Sequence, residues 1–137
     1  MNIPLMVDLT KKKIIIVGGG KIATRRVQTL LDYTNNIHVI SPTITETIEK
    51  LVKTGRISYS EKCFESKDIE KADLVIAATN LEMVNNQVRL SVPSHALFNH
   101  AGRAELGNIT FPNVFKRDRL TISVSTGGVS PKLGQRI

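Results

Sequence analysis

An α/β fold built on a doubly wound parallel sheet is the class this sequence predicts, and three observations predict it. The first lies in residues 12–23, where the apolar run Ile14-Ile15-Ile16-Val17 breaks into Gly18-Gly19-Gly20 and re-emerges with helical periodicity. The second is spacing: another apolar run, Ile37 to Ile40, closes a strand–turn–helix–strand unit of about 30 residues. The third is that predicted strands end on polar residues, Ser41-Pro42-Thr43 and Thr79-Asn80, which such a sheet gathers with the glycines at its carboxyl edge.

Pro4 to Leu9 reads as a short apolar lead-in, an edge strand, which Thr10-Lys11-Lys12 turns into the first core strand. Gly18, Gly20 and Ala23 then stand at the three positions of the G-x-G-x-x-G/A fingerprint. The first glycine makes the turn, the second lets a pyrophosphate approach the backbone, and the third small residue lets helix and strand pack closely. The following helix carries Ile22, Ala23, Val27, Leu30 and Leu31 as one apolar stripe. Its N-terminus, with free N–H groups and the positive end of the helix dipole, points back at the glycines as an anion site. The sheet is therefore expected to be Rossmann-like.

The second strand ends at Ser41, where such domains usually place an acidic residue for the adenosine ribose. A serine leaves hydroxyl and backbone contacts and does not choose between NAD and NADP. Thr43 or Thr45 caps a helix with Ile44, Ile48, Leu51 and Val52 inward, stopped by Thr54-Gly55. Arg56 to Ser60 is the third strand, Phe64 to Lys71 a short helix or turn, and Ala72 to Ala78 the fourth strand. A helix with Val84, Val88 and Val92 on one face runs into Pro93, and His95 to Asn99 is the fifth strand.

Beyond a loop from His100 to Asn108, Phe111-Pro112-Asn113 marks a boundary. Leu120 to Ser125 then alternates apolar and polar, the mark of a half-buried strand unlike the earlier ones. The turn Thr126-Gly127-Gly128-Val129-Ser130-Pro131 suits an anionic or polar ligand, with a helix starting near Ser130-Pro131.

The 137 residues suit one domain with the start of a second, and 41% hydrophobic content supports a real core. No apolar run approaches the roughly 18 residues of a membrane span, and the N-terminal residues lack the pattern of a secretory signal, so a cytoplasmic protein is expected. The single cysteine, Cys63, excludes an internal disulfide framework, has no metal-ligand neighbours in sequence and reads as a buried thiol. A formal charge of +7 points to a nucleic acid, a polyanionic small molecule or a merely soluble surface. The basic residues are scattered, tryptophan is missing and aromatics are 4%, which disfavours a single-strand nucleic-acid binder. Arg25 and Arg26 on the first helix either reach anionic groups or are simply solvated, while His38 and His95 read as structural.

Pro4-Leu5-Met6-Val7, Val17 to Ala23 with Arg25-Arg26, Ala77 to Asn80 with Asn85, Asn99, Phe111-Pro112 and Ser125 to Pro131 together resemble the precorrin-2 dehydrogenase family, the N-terminal module of siroheme synthases. The resemblance covers essentially the whole chain, and the order and spacing of its motifs are what make it specific. It implies NAD-dependent oxidation of precorrin-2 to sirohydrochlorin, followed in some members by ferrous chelation to siroheme. It further implies a homodimer holding the polycarboxylate tetrapyrrole, a substrate that suits a basic surface. By position, Gly18, Gly20, Lys21, Ile22, Ser41, Pro42, Thr43, Thr79 and Asn80 would line the cofactor site, and Ser125, Thr126, Gly127 and Gly128 the tetrapyrrole pocket. Residues 1–111 would form the NAD-binding domain, and 112–137 the beginning of a dimerisation and tetrapyrrole-binding region, cut short.

Where the family commonly carries an aspartate proposed as general acid/base, this sequence has Gly102. The cofactor supplies the hydride chemistry, so dehydrogenation is expected to survive that loss better than chelation. His100, two residues away, either substitutes as a base or is a polar loop residue. The rival reading is a non-catalytic NAD-binding regulatory module, which Gly102 favours and the Ser125 to Pro131 motif disfavours.

Overall fold

The computed structural model describes residues 1–117 and 120–124. Five parallel strands, β1 (Ile14–Val17), β2 (Ile37–Ser41), β3 (Ser58–Glu61), β4 (Leu74–Ala77) and β5 (Leu97–His100), form one sheet in the order β3-β2-β1-β4-β5. The helices α1 (Lys21–Leu31), α2 (Glu46–Lys53) and α3 (Glu82–Ser91) make crossovers, with a short 3-10 turn, Ser66–Ile69, between β3 and β4. The strand order reverses beside β1, which places a crevice at the carboxyl ends of β1 and β4.

The burial explains the composition of β1. Ile14 and Ile16 face a core built with Ala23, Val27 and Leu30 of α1 and Ile48 of α2. Ile15 and Val17 face the opposite core, with Ile69, Val88 and Phe98. A central strand covered on both faces leaves no position for a polar side chain, hence four consecutive aliphatics. Helix α2 begins at Thr45, whose side chain accepts from the Ile48 N–H at 3.3 Å.

Several boundaries move. The lead-in Pro4–Leu9 joins no ladder: β2 and β4 take both sides of β1, the strand it precedes, and a turn from the Lys12 N–H to the Leu9 carbonyl separates it from that strand. The third strand starts at Ser58, not Arg56, because α2 ends in a Schellman motif. Arg56 N–H donates to Leu51 O and Gly55 N–H to Val52 O, both at 3.0 Å, which keeps Arg56 in the helix cap. Cys63 is exposed rather than buried, since Phe64 takes the inward position of that turn. Ile22 leaves the predicted stripe and is 43% exposed beside the glycines, while Ala23 turns into the core.

After Pro112 the backbone forms a separate antiparallel hairpin, β6 (Asn113–Arg117) with β7 (Leu120–Val124), Phe115 pairing Ile122. Ser125, Thr126, Gly127 and Gly128 lie outside the described residues, as does the helix expected near Ser130-Pro131. Among the described residues, no helix is long and apolar enough to cross a membrane.

Candidate dinucleotide site at the carboxyl edge of the sheet

Gly18 and Gly19 hold the crevice together by close backbone approach. A Cβ at Gly18 would lie 2.6 Å from the Ala78 carbonyl carbon and nearer still to its oxygen. One at Gly19 would overlap the Thr43 carbonyl oxygen and come within 2.9 Å of Ser41 Oγ. The Thr45 N–H donates to Gly19 O at 2.9 Å. The structure thus brings Gly18 to Gly20, Ser41 to Thr43 and Thr79-Asn80 to one edge, as their spacing suggested.

Gly20 differs from its neighbours. A Cβ there would meet nothing within 4 Å, so the space in front of the turn is open. Gly20 is the N-cap of α1 and offers no side-chain cap, and the first turn carries no acidic residue. The N–H groups and positive dipole end of an eleven-residue helix therefore face that space without a competing anion. These features fit the pyrophosphate of a dinucleotide. Exposed Lys21 and Ile22 flank it from α1, and exposed Pro42 and Thr43 from the β2 end, whereas Ser41 itself is buried.

On the β4 side, Asn85 of α3, 4% exposed, locks the turn. Its Oδ1 accepts from the Thr79 N–H at 3.1 Å and the Thr79 hydroxyl at 2.8 Å, and its Nδ2 donates to Thr79 O at 3.0 Å. Asn86, next in sequence, is exposed and bonds only Arg89 among the described contacts. Asn85→Ala is expected to cost about 2–3 kcal/mol, because it orphans a backbone N–H and C=O in a tight turn. The check is the urea midpoint, which should fall with an unchanged slope.

Arg26 is packed against the protein and not freely solvated. Its guanidinium stacks on Phe111, 5.1 Å from the ring centroid, its Nε finds no hydrogen-bond partner, and burial pulls its pKa below the ordinary value. Arg25 is exposed. His38 bridges the hydroxyls of Ser58 and Ser60 at 2.6 and 2.8 Å, and His95 pairs with the Ala72 carbonyl at 3.0 Å, so both have structural partners.

The fifth strand runs to His100, which places that residue inside β5 and not in the loop after it. The start of β5 is displaced because a turn from Ala96 N–H to Pro93 O precedes it and the Leu97 N–H takes Asp73 O. His100 is 1% exposed; its Nδ1 accepts from the Arg103 N–H at 2.9 Å and its Nε2 lies 3.3 Å from Glu82 Oε1. Gly102 sits beside the ring, and a Cβ there would be 3.6 Å from His100 Cε1. Sequence reasoning missed Glu82; the available signal was its place at the first residue of the helix after β4, next to the end of β5.

A family model described as "Putative NAD(P)-binding" matches residues 5–113. The chain is 38% identical over 130 residues to the precorrin-2 dehydrogenase of Bacillus subtilis (strain 168), covering 95% of this chain and 80% of that protein. It is 35% identical over 133 residues to the precorrin-2 dehydrogenase of Priestia megaterium, spanning 66% of that protein's length. Against the siroheme synthase of Saccharophagus degradans (strain 2-40 / ATCC 43961 / DSM 17024) it is 33% identical over 138 residues, but spans only 30% of that longer protein. The solved structure of SirC, precorrin-2 dehydrogenase, superposes with a TM-score of 0.87 at 33% identity, covering 98% of this chain and 67% of that one. With the glycine turn, the strand order and these relatives in agreement, the chain belongs to the precorrin-2 dehydrogenase family.

Proposed function

We propose that this chain oxidises precorrin-2 to sirohydrochlorin with NAD as hydride acceptor, a step of siroheme biosynthesis. The observation that carries the reading is the open face of Gly20 at the uncapped N-terminus of α1, set at the carboxyl edge of a doubly wound sheet. Gly18 shapes the turn, and Gly20 with the first N–H groups of α1 receives the pyrophosphate. Lys21, Ile22, Ser41, Pro42 and Thr43 lie toward the adenosine half; Thr79 and Asn80, held by Asn85, lie on the β4 side.

When bound, NAD supplies the hydride-accepting carbon. The protein's own part is to fix the dinucleotide at one edge and hold the ring of a polycarboxylate substrate against it, for which a net charge of +7 is suited. Ser125, Thr126, Gly127 and Gly128 are the residues proposed to meet the tetrapyrrole. A homodimer is proposed on two grounds: the β6–β7 pair is a sheet of only two strands, and such a sheet gains stability by packing on further structure. Ferrous iron is a proposed second substrate, for chelation, and a cytoplasmic location accompanies the reading.

The test mixes precorrin-2, NAD and the chain and follows sirohydrochlorin and NADH in the visible and near-ultraviolet spectrum, beside Gly102→Asp. The aspartate is accommodated, because its Cβ meets only the His100 ring at ordinary contact distance. The expected result is turnover by the chain as it stands. Activity confined to Gly102→Asp would overturn that expectation and favour a regulatory module that binds NAD without reacting.

A further inference from the structure

We propose that Glu82 is the base that takes the substrate's proton in this chain, and that His100 is its positioning residue. The inference rests on the dehydrogenase reading above. Dehydrogenation removes one hydride and one proton from the substrate. NAD accounts for the hydride, and Gly102 cannot account for the proton.

The tautomer of His100 follows from its partners. The Arg103 amide can only donate, so Nδ1 must be unprotonated to accept at 2.9 Å. The ring proton then sits on Nε2, and the group it faces, 3.3 Å away, is a Glu82 carboxylate oxygen. Nδ1 is occupied and the ring is 1% exposed, so the imidazole is shielded from a substrate in the crevice. Glu82 is the outward member of the pair, with its side chain 61% exposed at the first residue of α3, just beyond the Thr79-Asn80 turn.

Gly102 and Glu82 flank the same imidazole, Gly102 beside Cε1 and Glu82 at Nε2. The chain therefore keeps a carboxylate at this end of the crevice, presented from α3 instead of from the loop. Glu105, the neighbouring acid after β5, is committed to Arg103 at 3.1 Å. In the step, two substrate bonds to hydrogen break heterolytically: one gives its proton to Glu82, where an O–H bond forms, and the electron pair it leaves becomes the new double bond as the second hydrogen departs as the hydride that bound NAD would accept. The resulting carboxylic acid returns the proton to water. Throughout, the Nε2–H of His100 keeps one carboxylate oxygen engaged while the other faces the substrate.

Glu82→Gln retains the shape and an oxygen for the His100 proton but removes the basicity. It is expected to lower kcat by about 10²–10⁴-fold, with KM for precorrin-2 and the dissociation constant for NAD within about threefold, as loss of proton transfer alone requires. Glu82→Asp should recover part of the rate. In the cofactor-free chain, nitrogen NMR of the imidazole should show the proton of His100 on Nε2.

A Glu82→Gln enzyme with unchanged kcat overturns the proposal and leaves the pair a purely structural one. A His100 protonated at Nδ1 overturns the arrangement that positions the base. If the wild-type chain binds NAD and turns nothing over, the dehydrogenase reading falls and the base falls with it. That outcome is distinguishable from an active wild type indifferent to Glu82→Gln.

Discussion

Gly20→Asp should lose NAD binding by about 100-fold or more, equivalent to about 2.8 kcal/mol, while the fold becomes slightly more stable. The two effects have one cause. The backbone at Gly20, with φ −92° and ψ −155°, is extended and open to any residue, and a Cβ there meets no atom within 4 Å. An aspartate at this N-cap is free to accept from the second or third N–H of α1, the groups a pyrophosphate would use. Capping in place of glycine is worth a few tenths of a kcal/mol. The same carboxylate then both fills the ligand's space and repels its phosphates. Thermal melting and calorimetric NAD titration on the same variant separate the effects, and Gly20→Ser, which caps without charge, should fall between. Unchanged NAD affinity in Gly20→Asp would sink the assignment of this turn as the dinucleotide site.

The legible part of the fold was whatever burial on both faces writes directly into composition. Ile14 to Val17 and Leu74 to Ala77 are continuous aliphatic runs because helices cover each side of the sheet, and Gly18 and Gly19 follow because the chain must turn against two neighbouring strand ends at once. What escaped was set by partners distant in sequence. Cys63 and Ile22 each compete with an adjacent residue for one inward position, and only tertiary packing decides for Phe64 and Ala23. The lead-in was misread as a strand because local pattern does not reveal strand order, and β1, the strand it precedes, already has β2 and β4 on its two sides.

The candidate site divides in the same way. The turn, the Ser41–Thr43 end and the Thr79-Asn80 end were readable from local motifs, but Glu82 meets His100 only after α3 and β5 have docked, 18 positions apart in sequence. Asn85 entered the sequence reading through the family resemblance; its helical phase, one residue from the exposed Asn86, puts it inward on Thr79.

Gly18→Ala should destabilise the chain by about 3 kcal/mol or more, read as a lowered urea midpoint with an unchanged slope. Gly18 has φ +131°, a conformation that side chains rarely adopt, and its Cβ would strike the Ala78 carbonyl and come within 3.0 Å of the Thr79 nitrogen. Both obstacles are backbone, so no rotamer change relieves them. Nor can the turn retreat: the Gly18 N–H is bonded to Ile40 O at 2.9 Å, and the Ala78 N–H to Val17 O at 2.8 Å. One contact ties the glycine to β2, and the other ties its obstacle to β1. A control separates dihedral strain from collision. Gly55 also has positive φ, +75°, but open space around a Cβ, so Gly55→Ala should cost only about 1 kcal/mol. Equal losses at the two positions would mean that the dihedral alone matters and that β1 and β4 tolerate separation at the crevice. A larger loss at Gly18 means that the closeness of those two strand ends, on which the whole site stands, is specified by the missing methyl group.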